Sequence, residues 1–395
     1  MKTTSLTKTK WVLPIIVISQ FFCTSLWFAG NAIMNDLVVT FHLNNSALGN
    51  LTSAVQFGFI TGTLVFALLT ISDRFSPSKV FFFCALIGGL FNLGIILENN
   101  TLTSLLAFRA LTGFFLAGIY PVGMKIAADY YQKGLGKSLG FLVGALVIGT
   151  AFPHLFKGIT SEFPWQLVIK FTSSIAGLGG LIMFLFIPDG PFREQSQKLN
   201  FKAWFEVFKN TDFRAAAFGY FGHMWELYAF WTFVPVILKN YLNGNPDAYI
   251  NIPLWSFAII GLGGVSCIIS GYLSSSLDTK KVAFYALLMS GICSLISPLI
   301  LSINSTLLLL SFLIFWGLVV IADSPLFSTL IAQNAIPKFK GTALTIVNCI
   351  GFAITIISIL LINYLSIHWN SKYVYIVLAI GPVLGLYALY DKKTL

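Results

Sequence analysis

The sequence predicts an all-α polytopic membrane protein of twelve transmembrane helices, and three observations carry that prediction. Hydrophobic residues make up 57% of the 395 and charged residues only 10%, whereas soluble globular chains carry about 25% charged residues. The apolar residues fall into long blocks separated by short polar joints. About 20 residues rising ~1.5 Å each cross a hydrocarbon layer of about 30 Å. The basic residues gather on alternate joints, as they do when a chain is stitched back and forth across a bilayer.

Taken in order, the blocks are Trp11–Ala32, Leu51–Ile71, Val80–Leu97, Leu105–Ala128, Leu139–Phe156 and Leu167–Ile187, then Ala215–Leu238, Ile252–Leu273, Val282–Ile303, Leu307–Ile331, Leu344–Tyr364 and Tyr373–Tyr390. Lipid offers no partner for free backbone amides, so each block is predicted to be helical. The alternating ten-residue pattern of a membrane β-barrel is absent. Met1–Lys10 is basic and precedes an apolar block, as in a secretory signal. That block is too long for a signal's apolar region and lacks a small-residue cleavage site, so it reads as the first helix.

The net charge of +10 raises nucleic acid as a partner, and its distribution argues against that. With the N-terminus inside, nineteen of the 24 Lys and Arg residues fall on inner loops and tails and three (Lys157, Lys239, Lys372) on outer loops, leaving Arg109 and Lys170 within spans. This bias puts both termini on the cytoplasmic side. The five cysteines all lie inside spans, and their spacing suits no metal. They read as small packing residues.

The longest polar segment, 188–214, divides the chain into six helices (1–187) and six more (215–395). It contains an amphipathic stretch, Phe201–Phe208, expected to lie on the inner membrane surface. No joint is large enough for a nucleotide-binding domain and no Walker A pattern occurs. The two halves carry traces of repetition. Tyr120-Pro121 precedes Gly136, Ser324-Pro325 precedes Gly341, and the Pro-to-Gly distances are 15 and 16. Asp73-Arg74 with Lys79 follows the second block, and Asp278 with Lys280-Lys281 follows the eighth. Such matches point to two pseudo-symmetric halves related by an axis along the membrane normal.

Six plus six helices, a central inner loop and Asp73-Arg74…Lys79 after the second helix resemble the major facilitator superfamily. That family's loop motif reads G-x-x-x-D-R-x-G-x-x-basic. This chain matches it at Asp73, Arg74 and Lys79, and lacks both glycines. Arg109 and Gly113 match the family's fourth-helix motif, whereas Gly144-Ala145 stands where the antiporter motif has Gly-Pro. The segments Tyr120–Lys125 and Gly222–Tyr228 are similar to those of uncharacterised bacterial carriers loosely grouped with nitrate or cyanate permeases. The resemblance implies a secondary transporter whose central cavity is lined mainly by helices 1, 4, 7 and 10. It also implies a conformational latch on the inner side, made by Asp73, Arg74 and Lys79.

Polar side chains in the hydrocarbon region are costly, roughly 2.5–3.5 kcal/mol at a helix centre, and need partners or water. On helix 1, Gln20, Thr24, Trp27 and Asn31 recur at helical spacing and are predicted to share one face. Helix 4 offers Arg109 and Tyr120, helix 7 His223, Glu226 and Phe230, and helix 10 Trp316 and Asp323. Each row reads either as a cavity wall or as helix packing with polar glue. Arg109 can bind an oxyanion bidentately, hold a structural ion pair or tune a proton site. Burial disfavours a charged carboxylate, so Glu226, assisted by His223, is a candidate to exchange protons. Asp323 either faces the cavity or caps a helix interrupted at Pro325. Lys125 reads as a lysine snorkelling to the interface, and His154 and Lys170 as interfacial. Gly58/Gly62, Gly140/Gly144 and Gly381/Gly385 have the spacing of close helix approach.

Basic groups in the first half and acids in the second suggest proton-coupled uptake of a small organic or inorganic anion or zwitterion by alternating access. Trp27, Phe230 and Trp316 keep proton-coupled efflux of metabolites, siderophores or drugs open. An enzyme or sensor is the reading of another class. The four scattered histidines and the absence of H-E-x-x-H or G-x-S-x-G argue against an enzyme. No cofactor, metal or nucleic acid is expected. The expected partners are a small-molecule substrate, protons and the lipid bilayer, with the chain acting as a monomer in a bacterial inner membrane.

Overall fold

The computed structural model describes residues 3–131, 135–193, 206–274, 276–336 and 339–390. These residues build twelve long helical segments, and no strand occurs among them. The first six are α1 (Thr3–Thr24), α2 (Ala47–Leu68), α3 (Pro77–Leu93), α4 (Leu102–Leu116 and Tyr120–Tyr130), α5 (Leu135–Ile159) and α6 (Gln166–Phe186). The others are α7 (Thr211–Gly244), α8 (Ile252–Gly261 and Gly263–Leu273), α9 (Thr279–Ile300), α10 (Thr306–Ala322 and Ser324–Asn334), α11 (Lys340–His368) and α12 (Val374–Ala379 running into Ile380–Leu389). Among the described residues, nine helices are long and apolar enough to cross a membrane. The apolar parts of α1 and α12 are shorter, and α7 is long, at 34 residues, but more polar. Residues 201–205 of the expected amphipathic stretch, and the basic residues Lys2, Lys133, Lys198, Lys202, Lys338, Lys392 and Lys393, lie outside the described residues.

Helix starts are set by short polar side chains that satisfy the otherwise orphaned first amides. Thr101 and Ser104 form a reciprocal capping box at α4. Asn210 accepts from Asp212 and Phe213 at α7, and that cap places the start of α7 four residues before the predicted Ala215. Asn251, Asp278 and Ser305 cap α8, α9 and α10.

The burial pattern inverts that of a soluble protein. Phe57, Phe83, Leu185, Phe315 and Leu384 are exposed on the outside, while Gln20, Gln56, Asn92, Arg109, His223, Glu226 and Asp323 are fully enclosed. Glycines let backbones approach where the spacing predicted. Gly58 and Gly62 lie against the backbone of Ala110 and Phe114 on α4, Gly144 against Gly264 on α8, and Gly222 against Gly381 on α12. The five cysteines carry no disulfide, and all but the half-buried Cys349 are buried.

The pair of prolines predicted as a repeat marks a pair of breaks. α4 is interrupted just before Tyr120-Pro121 and α10 just before Ser324-Pro325. A proline ring removes one backbone donor and clashes with the carbonyl four residues back. The first block departs from its prediction. It is not one helix over Trp11–Ala32, because α1 stops at Thr24 and helix resumes only at Ala29–Ala32 and then Met34–Thr40.

Candidate functional site

The break after α1 is held by Arg109. The guanidinium, 1% exposed, donates to the Leu26 carbonyl at 3.1 Å and to the Trp27 carbonyl. A continuous helix would use those two carbonyls for its own ladder. The same side chain donates to Asn92 Oδ1 at 3.3 Å, and the Asn92 amide in turn donates to Thr172 and Ser173 of α6. No carboxylate lies within ion-pair distance of Arg109 among the described residues.

This break overturns the single face predicted for helix 1, because helical spacing does not carry through Ser25–Phe28. Gln20 lies against Gly123 of α4, and its buried amide has no partner. Thr24 bonds back to the Gln20 carbonyl at 2.8 Å and sits against Gly149 of α5, so it is a packing residue. Asn31 donates to Thr52 Oγ1 of α2 at 2.8 Å. Only Trp27 reaches the second half of the chain.

α7 carries the acid–histidine cluster. Glu226 Oε1 accepts from Ser294 Oγ of α9 at 2.8 Å and from Trp316 Nε1 of α10 at 2.7 Å, while Oε2 has no partner. One turn away, His223 Nδ1 lies 2.7 Å from Asp323 Oδ1, with both side chains 0% exposed. That contact has ion-pair distance but is off the line of a hydrogen bond, and His223 Nε2 and Asp323 Oδ2 also lack partners. Asp323 stands at the break in α10 without capping it by its side chain, so of its two predicted roles the capping one is not taken. Phe230 stacks on Trp316 with centroids 4.4 Å apart. The predicted rows on helices 7 and 10 therefore face each other.

Aromatic rings join the two groups of helices. Tyr228 of α7 contacts Trp27, Phe28, Trp231 and Phe352, and Phe59 of α2 lies 4.4 Å from Phe352 of α11. Tyr120 is buried. His154 departs from its prediction: it is 2% exposed, edge-on to Phe28, and not interfacial. The rings Phe28, Phe59, Tyr228, Trp231 and Phe352 were not singled out in the sequence. The run Tyr228-Ala229-Phe230-Trp231 beside Glu226 was the available signal.

At the end of the helices predicted to face inward, Lys125 is not a free snorkelling lysine but pairs with Asp73. Arg193, which pairs with Asp189, donates to the carbonyls of Asp73 and Phe75 at 2.9 and 2.8 Å. Arg74 and Lys79 are exposed, so the polar knot around Asp73 is closed by Lys125 and Arg193. Elsewhere, a cleft of about 200 Å³ opens beside Asn240, Tyr241, Asn245, Lys372 and Tyr375.

The sequence profile of the Major Facilitator Superfamily matches residues 16–359. The chain belongs to that superfamily. Its fold agrees with those of solved facilitators. The proton:xylose symporter XylE superposes with a TM-score of 0.75 at 11% identity, over 96% of this chain and 95% of that one. The human organic anion transporter MFSD10 gives 0.73 at 13% identity, over 97% and 99%. Curated relatives are transporters too. The niacin transporter NiaP of Acinetobacter baylyi is 29% identical over 44% of this chain, and an uncharacterised transporter of Schizosaccharomyces pombe is 27% identical over 51%. The chain spans about two fifths of the length of these relatives, 42% and 40%. This facilitator is thus an integral membrane protein, helical and without strands among its described residues, and Arg109 and the α7–α10 cluster are enclosed within it.

Proposed function

We propose that this facilitator is a proton-coupled secondary transporter that takes up a small organic or inorganic anion or zwitterion by alternating access. Residues 1–187 and 215–395 would rock as two six-helix halves joined by 188–214. One observation carries the proton reading: His223, Asp323 and Glu226 are fully buried around α7, α9 and α10, and three of their polar atoms, Nε2, Oδ2 and Oε2, have no protein partner. Such groups exchange protons when a conformational change brings water to them. Asp323 sits at the break in α10, where a change in its charge acts on a joint rather than on a stiff rod. The anion reading is supported by a buried guanidinium with no carboxylate partner among the described residues, and it accords with relatives named for niacin and organic anions. Proton-coupled efflux is the second reading, favoured by the aromatic rings between the halves. A monomer in a bacterial inner membrane is the proposed setting.

Proteoliposomes holding the purified chain test the coupling. With an inward proton gradient the wild type should acidify the lumen when cargo is added. Glu226→Gln and Asp323→Asn should move cargo only down its own gradient. Full proton-driven accumulation in both variants would overturn the coupling assignment.

A further inference from the structure

The rings that join the two groups of helices carry polar atoms that packing does not use. Trp27, Phe28, Tyr228, Trp231 and Phe352 are each at most 3% exposed. Tyr228 is their hub, with centroids 5.8 Å from Trp27, 6.5 Å from Phe28, 5.4 Å from Trp231 and 5.4 Å from Phe352. His154 lies against Phe28 at 6.5 Å. Within this cluster Trp27 Nε1, Trp231 Nε1 and His154 Nε2 are buried with no hydrogen-bond partner. A buried donor without an acceptor costs free energy that a plug of phenylalanine and leucine would avoid.

Charge adds a second, independent observation. Arg109 donates to the backbone carbonyls of Leu26 and Trp27, so its guanidinium sits directly behind the residue whose indole enters the cluster. Arg109 has no counter-ion among the described residues. A buried cation without one favours an anion nearby.

We propose that this cluster binds a planar aromatic carboxylate. The rings of Tyr228, Trp27 and Trp231 stack on the ligand's ring or meet it edge-on, geometries in which aromatic pairs attract. The carboxylate accepts from the two indole N–H groups, and from His154 Nε2 when that nitrogen carries the proton. Arg109 acts through its charge and by holding the Trp27 backbone, which makes it a positioning residue. Three properties follow together: a ring for shape, an acceptor for the orphan donors and a negative charge for Arg109. The inference rests on the transport reading for its purpose but needs no gradient for its test.

Benzoate is the probe. Titrated into the purified full chain and followed by tryptophan fluorescence and calorimetry, benzoate should bind at least about tenfold more tightly than cyclohexanecarboxylate, which keeps the charge and loses the aromatic ring. Benzamide and benzyltrimethylammonium, which keep the ring and lose the negative charge, should be weaker still. Trp231→Phe and Trp27→Phe keep a ring and delete a donor, so each should weaken benzoate by about tenfold with an unchanged melting temperature. If Trp27→Phe disturbs folding, Trp231→Phe decides alone. Benzoate binding no better than cyclohexanecarboxylate, or binding undiminished in Trp231→Phe, overturns the proposal. Benzoate bound by a protein whose flux ignores the proton gradient would remove the coupling assignment and leave this one standing. Proton-driven flux of another cargo without benzoate binding would do the reverse.

Discussion

Arg109 in α4 and Glu226 in α7 are both charged by type and both enclosed, yet the protein treats them oppositely. Arg109 is tied to two main-chain carbonyls and to Asn92, which is itself bonded to α6. Its partners are backbone and amide groups that do not titrate. Glu226 and its neighbours His223 and Asp323 are held by side chains from other helices and keep unused lone pairs and nitrogens. The difference teaches how to read buried charge in a membrane protein. A charge bonded to backbone on a neighbouring helix fixes shape, whereas a titratable cluster between helices links shape to protonation.

The largest expected effect breaks the first side of that comparison. Arg109→Met leaves the carbonyls of Leu26 and Trp27 and the Asn92 oxygen without their donor, at about 1–3 kcal/mol for each group that stays dry. The variant should lose most of its folded yield, and thermal melting in detergent should show it, with Arg109→Lys intermediate because one ammonium cannot reproduce the guanidinium fork. A wild-type melting temperature in Arg109→Met would make Arg109 a ligand group and not a strut.

Glu226→Gln breaks the second side. The amide oxygen still accepts from Ser294 and Trp316, so the melting temperature should stay within a few degrees of wild type while proton-linked accumulation falls to background. Exchange of labelled for unlabelled cargo, which needs no net proton movement, should persist. A variant that unfolds would show that Glu226, like Arg109, is there for shape.

Much of the fold was legible because lipid leaves the backbone few choices. Eleven of the twelve blocks are helical near their predicted places, and the breaks in α4 and α10 were signalled locally by Pro121 and Pro325. The break after Thr24 was not legible, because Ser25–Phe28 contains no proline or glycine and the group that holds it is Arg109, 83 residues from Leu26. The predicted row Gln20–Thr24–Trp27–Asn31 is interrupted there, and its first two members, before the break, pack against Gly123 and Gly149. Trp316 and Asp323 are predicted as one row on helix 10, but that the row meets Glu226 and His223 depends on how α7 and α10 are rotated, which periodicity does not fix. His154 was misplaced because it lies two residues from the predicted outer end of helix 5, Phe156. It is buried with Phe28, from the unforeseen break, edge-on to its ring.

A smaller effect sharpens what the two groups of helices share. Gly58 faces the Ala110 carbonyl on α4 and Gly222 the Gly381 carbonyl on α12, and an added methyl at either meets backbone that cannot swing aside. Gly58→Ala and Gly222→Ala should each destabilise by about 1–3 kcal/mol. Gly177→Ala, where nothing lies within 4 Å, should be neutral or slightly stabilising. Equal losses at Gly58 and Gly222 would mean that the two groups use close packing alike and differ only in their charges. A loss at one alone would extend the asymmetry to the packing.

The smallest effect concerns the ion pair at the membrane edge. Lys125 and Asp73 are 21% and 11% exposed, and an asparagine at 73 still offers Lys125 an acceptor, so that replacement should cost about 1 kcal/mol. Asp73→Asn should therefore shift the melting temperature little. Its consequence should be kinetic: Lys125 bridges α4 to the α2–α3 turn, and Arg193 holds the same turn from beyond α6. Loosening one of two ties should speed the exchange between conformations, read as a higher rate of labelled-cargo exchange at unchanged affinity. If Lys125→Ala reproduced that gain and Arg74→Ala did not, the latch would be Asp73–Lys125 with Arg193. Equal gains from Arg74→Ala would show that an exposed arginine joins the knot in another conformation.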